Sequence, residues 1–195
     1  MRSALLLVLF LSASAYAQVP FVQVGLDMAN ASGYTKPNPS IEVGVESGKM
    51  WLTNISFFDY QPAVSKAAVP GLGYETKLQS LTYVRARGRI SIGGGASLLH
   101  VSTSQWSKNS VMAIAGCMIE GKAGRVFANY ERSVALDQNR LQAIKFDGEL
   151  GHGRIRPEVS IGVSRFTEPS YCAGACNVDW SPLVEVGAKF IIHRK

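Results

Sequence analysis

Charged residues are scarce, at 17% of the chain, and there are only three histidines and three cysteines. So thin a supply of metal-ligating side chains argues against a zinc-stabilised or cluster-binding fold, and no cofactor is expected. Beyond its first dozen residues the sequence has no apolar run long enough to cross a bilayer as a helix. It also lacks the sustained 3.6-residue periodicity of an amphipathic helix. Repeats, low-complexity tracts and linkers are absent, and the 19 glycines are scattered through the length. One domain built on strands is what remains.

The N-terminus reads as an export signal. A basic start, Met1-Arg2-Ser3, precedes the apolar run from Ala4 to Leu11 and the small-x-small site Ala15-Tyr16-Ala17. Cleavage after Ala17 is expected, so residues 1–17 are a signal peptide and 18–195 the mature domain. An exported chain makes nucleic acid a poor partner despite a pI near 9.3. It also makes a disulfide reasonable: Cys172 and Cys176 can close a small ring around Gly174, leaving Cys117 as a small hydrophobe on a strand.

Period-two alternation picks out about ten strands: Val19–Met28, Ser40–Ser47, Trp51–Tyr60, Tyr74–Arg85, Arg89–Ser104, Ser110–Glu120, Arg125–Val134, Leu141–Leu150, Ile155–Phe166 and Pro182–Ile192. Tyr74–Arg85 and Trp51–Tyr60 mix their parities, and Ser110–Glu120 is apolar on both, so eight strands is the alternative count. Long and short links alternate. Long ones include "ANASGYTKPNP", "QPAVSKAAVPGLG", "TSQWSKN" and "TEPSYCAGACNVDWS"; short ones are 48–50, 86–88, 121–124 and 151–154. A soluble sandwich has no reason to sort its links by end. An up-and-down antiparallel transmembrane β-barrel does, with tight periplasmic turns and long outer loops.

The polar parity carries Asp27, Glu42, Glu46, Lys145, Asp147, Glu149, Arg156, Glu158, Glu185 and Lys189. Facing lipid, a cation near the midplane would cost about 2–4 kcal/mol. Inside a narrow lumen the same mixed charges can pair across the barrel. The expectation is a charged filling and a Val-, Ile- and Leu-rich outer wall. Aromatics gather toward both strand ends, with Phe57, Phe58, Tyr60, Tyr74, Trp106, Phe166 and Trp180 at the long-loop ends. Phe21, Trp51, Phe127 and Phe190 lie near the short turns, as two interfacial belts would require.

The last strand, "EVGAKFII" from Glu185 to Ile192, reads polar-x-Gly-x-x-apolar-x-apolar. In this the chain resembles bacterial outer-membrane β-barrels, in architecture the small outer-membrane protein A and X type. The chain departs from that pattern by continuing with His193-Arg194-Lys195. The resemblance implies residence in the outer membrane, contact with its lipids and lipopolysaccharide, and recognition by the barrel assembly machinery.

Three functional readings follow. The first is a structural or adhesive outer-membrane barrel without an open pore, using loop Thr167–Ser181, with Tyr171 and Trp180, as its contact surface for an extracellular ligand. The second is a soluble periplasmic barrel holding an apolar ligand. The third is a lipid-modifying hydrolase: His100-Val101-Ser102 is similar in spacing to the His-x-Ser pair of outer-membrane lipid A deacylases, although that family carries the pair near its C-terminus. His100 and Ser102 are weak catalytic candidates, and the chain is expected not to be an enzyme. His152 and His193 are expected to be solvated. A basic rim of Lys49, Arg85, Arg87, Arg89, Lys122, Arg125 and Arg154 marks the short-turn end, with Arg156, Arg194 and Lys195 nearby. It suits anionic headgroups or periplasmic polyanions. The Gly93–Gly95 run lies within a strand and is read as room for long side chains from facing strands, since no helix follows to make it a phosphate cradle.

Overall fold

A computed structural model of the chain describes residues 18–27, 38–47, 51–61, 74–102, 107–134, 140–167 and 180–192. They form β1 (Gln18–Asp27), β2 (Asn38–Ser47), β3 (Trp51–Gln61), β4 (Tyr74–Arg87), β5 (Ile90–Ser102), β6 (Ser107–Gly121), β7 (Gly124–Ser133), β8 (Arg140–Leu150), β9 (Ile155–Thr167) and β10 (Ser181–Ile191). Every strand pairs antiparallel with its neighbour in the chain, and β1 pairs with β10 from Phe21↔Ile191 to Asp27↔Glu185, so the sheet closes on itself. The fold is an all-β, up-and-down antiparallel closed barrel. Eight strands is ruled out, because the irregular β3 and β4 are both paired on either side.

Strands of 10 to 15 residues are long enough to cross a bilayer when tilted, which takes about 9–11 residues. The links sort by end as expected, with short ones at 48–50, 88–89, 122–123 and 151–154. One long link is shorter than expected, 103–106, because β5 and β6 extend their pairing to Ser102↔Ser107. Tight turning explains two of the glycines: Gly88 and Gly151 sit at φ of 55° and 78°, a region L side chains rarely adopt.

The two parities separate as the alternation requires. Ile144, Phe146 and Leu150 on β8, and Ile155, Val159 and Ile161 on β9, are exposed on the outer wall. Between them, Lys145, Asp147, Glu149, Glu158 and Ser160 line the interior. Of the large hydrophobics among the described residues, 24 are exposed, a number that marks this wall as a surface made for something other than water.

The interior has two unlike halves. On β4, β5 and β6 the inward row is mostly apolar or small, apart from Lys77 and Gln79 of β4: Leu81, Tyr83, Ile114 and Met118 form one cluster, with Phe127 of β7 packed against it. β4 therefore keeps a strict parity, with Gln79, Leu81 and Tyr83 facing in, where its sequence had read as mixed. The opposite half carries the charges. The Gly93–Gly95 reading is corrected here. A Cβ on Gly93 would lie 1.9 Å from the Thr82 carbonyl oxygen, and one on Gly95 would lie 1.8 Å from that of Ser80. What these glycines accommodate is the close approach of the β4 backbone, and not long side chains from across the lumen.

The aromatic belts also need correction. Phe21 is fully buried inside, with the Lys189 ammonium 4.7 Å from its ring centre. Phe127 likewise faces inward, its ring 5.5 Å from that of Tyr83. Tyr130, Phe190 and Trp180 are exposed as a belt requires. Trp106, residues 1–17, loop residues 168–179 with Cys172 and Cys176, Lys49 and residues 193–195 lie outside the described residues. Cys117 is a free thiol of intermediate burial, consistent with a small hydrophobe on β6.

Candidate functional site

The charges of the lumen come from the inward parity of β2, β4 and β7–β10, where a strand period of two brings alternate residues to one face. Near the short-turn end these residues converge. The Arg125 guanidinium donates to both Glu149 oxygens at 2.6 and 2.8 Å, and to Glu46 Oε2 at 3.2 Å. Arg156 Nη1 donates to Glu46 Oε1 at 2.8 Å and to Glu149 Oε1 at 2.7 Å. Lys189 Nζ adds Glu158 Oε1 at 3.1 Å and Glu149 Oε2 at 3.7 Å. Three cations thus meet three carboxylates, and the cluster is neutral.

Its reach matters more than its strength. Around the ring of strands, β2 and β7 stand opposite each other, five places apart in either direction. The Glu46–Arg125 contact therefore crosses the full width of the lumen. Glu149 is 2% exposed and Arg125 8%, so little water enters the cluster. Arg125 had been assigned to the basic rim; it is instead the centre of this plug, because it shares the inward parity of Phe127, Asn129 and Glu131. The sequence carried that signal, since Val126, Ala128 and Tyr130 occupy the alternate places. Arg156, counted among both groups, also belongs to the plug.

Two further bridges went unread in the sequence. Lys77 Nζ donates to both Glu131 oxygens at 3.1 and 3.0 Å, and the Tyr83 hydroxyl donates to Asn129 Oδ1. Both join β4 to β7 across the lumen, and pairing at such separation leaves no local trace in the sequence. Of the remaining predicted lumen charges, Glu185 accepts from Ser40 Oγ at 2.6 Å, and Glu42, Lys145 and Asp147 line a cavity with it. Asp27 falls at the end of β1, opposite Glu185 in register.

That cavity, of about 110 Å³, lies on the long-loop side of the plug. Its wall is charged and polar, which corrects the reading of a soluble barrel with an apolar pocket: the Val and Ile side chains that would line such a pocket are on the outside. No group of His, Cys, Asp or Glu among the described residues is arranged to hold a metal ion.

Outside the lumen, Arg85, Arg87, Arg89, Lys122 and Arg154 are exposed around the short turns, with Arg85 3.3 Å from Glu120. His152 is exposed at the same end, where its Nε2 contacts the Gly121 carbonyl oxygen at 2.9 Å and ties two turns together. On the outer wall, His100 Nδ1 lies 2.8 Å from Asn109 Oδ1 on β6. Ser102 follows His100 by two residues and shares its strand face in register.

No protein-family model and no curated protein matches the chain. Among solved structures, it is similar to the anion-selective porin from Comamonas acidovorans, at 13% identity over 79% of this chain and 49% of that one, with a TM-score of 0.40. It is similar also to OmpT, an outer membrane protein of Vibrio cholerae, at 11% identity over 90% and 64% of the two chains, TM-score 0.39. The CymD monoaromatic hydrocarbon channel matches at 8% identity over 94% and 91%, TM-score 0.41. The chain thus spans about half of the Comamonas porin and under two thirds of the Vibrio protein.

Proposed function

We propose that this chain is an integral outer-membrane β-barrel with a sealed lumen, acting at its surfaces through long outer loops and not as an open pore. The ion cluster that bridges opposite walls, Glu46 to Arg125, carries this reading. A barrel that spends its interior on such a plug has no continuous water path through it, so contact by the loops is what it can offer. The apolar outer wall supports the membrane assignment, since closure satisfies each backbone group without an edge in hydrocarbon. Segment 167–181 is the proposed loop contact, lipopolysaccharide and lipids the surroundings, and the barrel assembly machinery the partner in insertion.

The exposed arginines at the short turns are proposed to meet anionic headgroups of the inner leaflet, each cation adding about 1 kcal/mol. Replacing Arg85, Arg87 and Arg89 by Gln should weaken binding to anionic vesicles and lower its salt dependence; unchanged binding rules the contact out. The main reading is tested by fractionation with gel migration. The expected result is an outer-membrane protein whose unheated form runs faster than its heated form, and which gives no steady conductance in planar bilayers. A detergent-free soluble protein contradicts it.

One contact favours a second reading. His100 Nδ1 lies 2.8 Å from Asn109 Oδ1; the tautomer protonated at Nδ1 would donate there and carry its lone pair on Nε2, the form a serine's general base needs. With Ser102 on the same face, this is the composition of an ester hydrolase facing lipid. Release of fatty acid from lipid A or phospholipid, lost in His100→Ala, supports it; no release by the unaltered chain removes it.

A further inference from the structure

The neutral plug and the Lys77–Glu131 pair account for most of the lumen's charge, but not all of it. Lining the cavity beyond them are three carboxylates, Glu42, Asp147 and Glu185, and one ammonium, Lys145. Among the described residues, the groups lining the cavity beyond these pairs thus number three carboxylates to one ammonium. Asp147 makes no hydrogen bond or ion pair among the described residues. Two buried atoms on the wall also have no hydrogen-bond partner, Glu158 Oε2 and Gln79 Oε1, and both are acceptors. They project from β9 and β4, strands on opposite sides of the ring. A partly open cavity whose unpartnered buried lining atoms are acceptors, and whose described lining is rich in carboxylates, is complementary to a cation with several N–H groups.

We propose that the cavity binds a short aliphatic diamine or a similar small organic ammonium compound. A divalent metal ion fits less well, since the carboxylates are not grouped as a metal shell. The Tyr83 and Phe127 rings that share the wall offer faces to an alkylammonium instead. Size agrees. An engineered cavity of about 150 Å³ takes benzene, so about 110 Å³ suits an extended ligand of about six heavy atoms. One ammonium group meets Asp147 and Glu185, and the other the acceptors of Glu158 and Gln79. This goes beyond the proposed outer-membrane role and depends only on the lumen, so it holds or fails separately from the membrane assignment.

The test uses the full mature chain folded in detergent micelles and titrated calorimetrically with 1,4-diaminobutane. One saturable site is expected, with no measurable binding of 1,4-butanediol or succinate, which match in length but carry no positive charge. Asp147→Asn should raise Kd at least tenfold while the heat-modifiable band is retained. Lys145→Met, which deepens the acidic excess, should lower Kd by a similar factor and stands as the second variant if the first does not fold. Absence of a saturable diamine site overturns the proposal, as does equal affinity in both variants. Calcium binding more tightly than the diamine with the same Asp147 dependence would make this a metal site and overturn it too.

Discussion

Removing the Glu149 carboxylate would leave Arg125, Arg156 and Lys189 with only Glu46 and Glu158 to balance them, one buried cation in excess. Breaking a buried pair from one side costs about 3–5 kcal/mol, whereas replacing both partners by apolar groups of similar volume is often neutral. Glu149→Ala is therefore expected to lower the stability of the folded barrel by about that amount, read from urea unfolding in lipid vesicles. The paired replacement Arg125→Met with Glu149→Leu should lose much less. Equal losses would mean that the cluster acts by packing alone. At this scale the sequence was only partly legible. The parity of Lys145, Asp147 and Glu149 showed that they would share a face, and they do. Arg125 was misread because it directly follows Gly124 at a turn, where turn and strand residues look alike. Which cation would meet which carboxylate was beyond any local pattern, since Glu46 and Arg125 are joined only by closure of the ring.

The strands tell a similar story with different physics. Alternation is a local property, so about ten strands could be read, and the faces of β8 and β9 directly; β3, β4 and β6 alternated too poorly for that, and boundaries were off by a few residues where β5 and β6 pair further than expected. Curvature is not local. Gly93 and Gly95 are needed because the β4 backbone lies where their side chains would be. Gly93→Val should therefore prevent β4–β5 pairing, giving a chain that shows no heat-modifiable band after refolding, while Ala96→Val on the exposed side of the same strand should fold normally. Failure of both, or of neither, would separate the glycines from backbone crowding. The outer face can be probed in the same way: Phe146→Arg puts a cation on the wall opposite the charged parity of β8. If lipid wets that wall, the cost near the midplane should be about 2–4 kcal/mol in vesicle unfolding. A change within a few tenths would mean that Phe146 faces water.

For the whole molecule, closure links these observations. A ring of ten strands has no free edge, so its backbone is satisfied, and the choice left is which parity meets the surroundings. Among the described residues, charges meet inside as a plug and large apolar side chains lie on the outer surface. The physiological role was the least legible feature, because recognition of a partner imposes no periodicity on a sequence. If the Glu46–Arg125 bridge closes the lumen, vesicles containing the barrel should retain a small dye as well as empty vesicles do; rapid dye release would show that it does not. The most direct test of the central claim is a nitroxide scan along β9 from Ile155 to Val163 in lipid vesicles, comparing collisions with oxygen and with a water-soluble nickel chelate. Oxygen accessibility is expected to peak at Ile155, Val159 and Ile161 and to fall at Arg156, Glu158 and Ser160. Peaks of nickel accessibility at the Ile and Val positions would contradict the account.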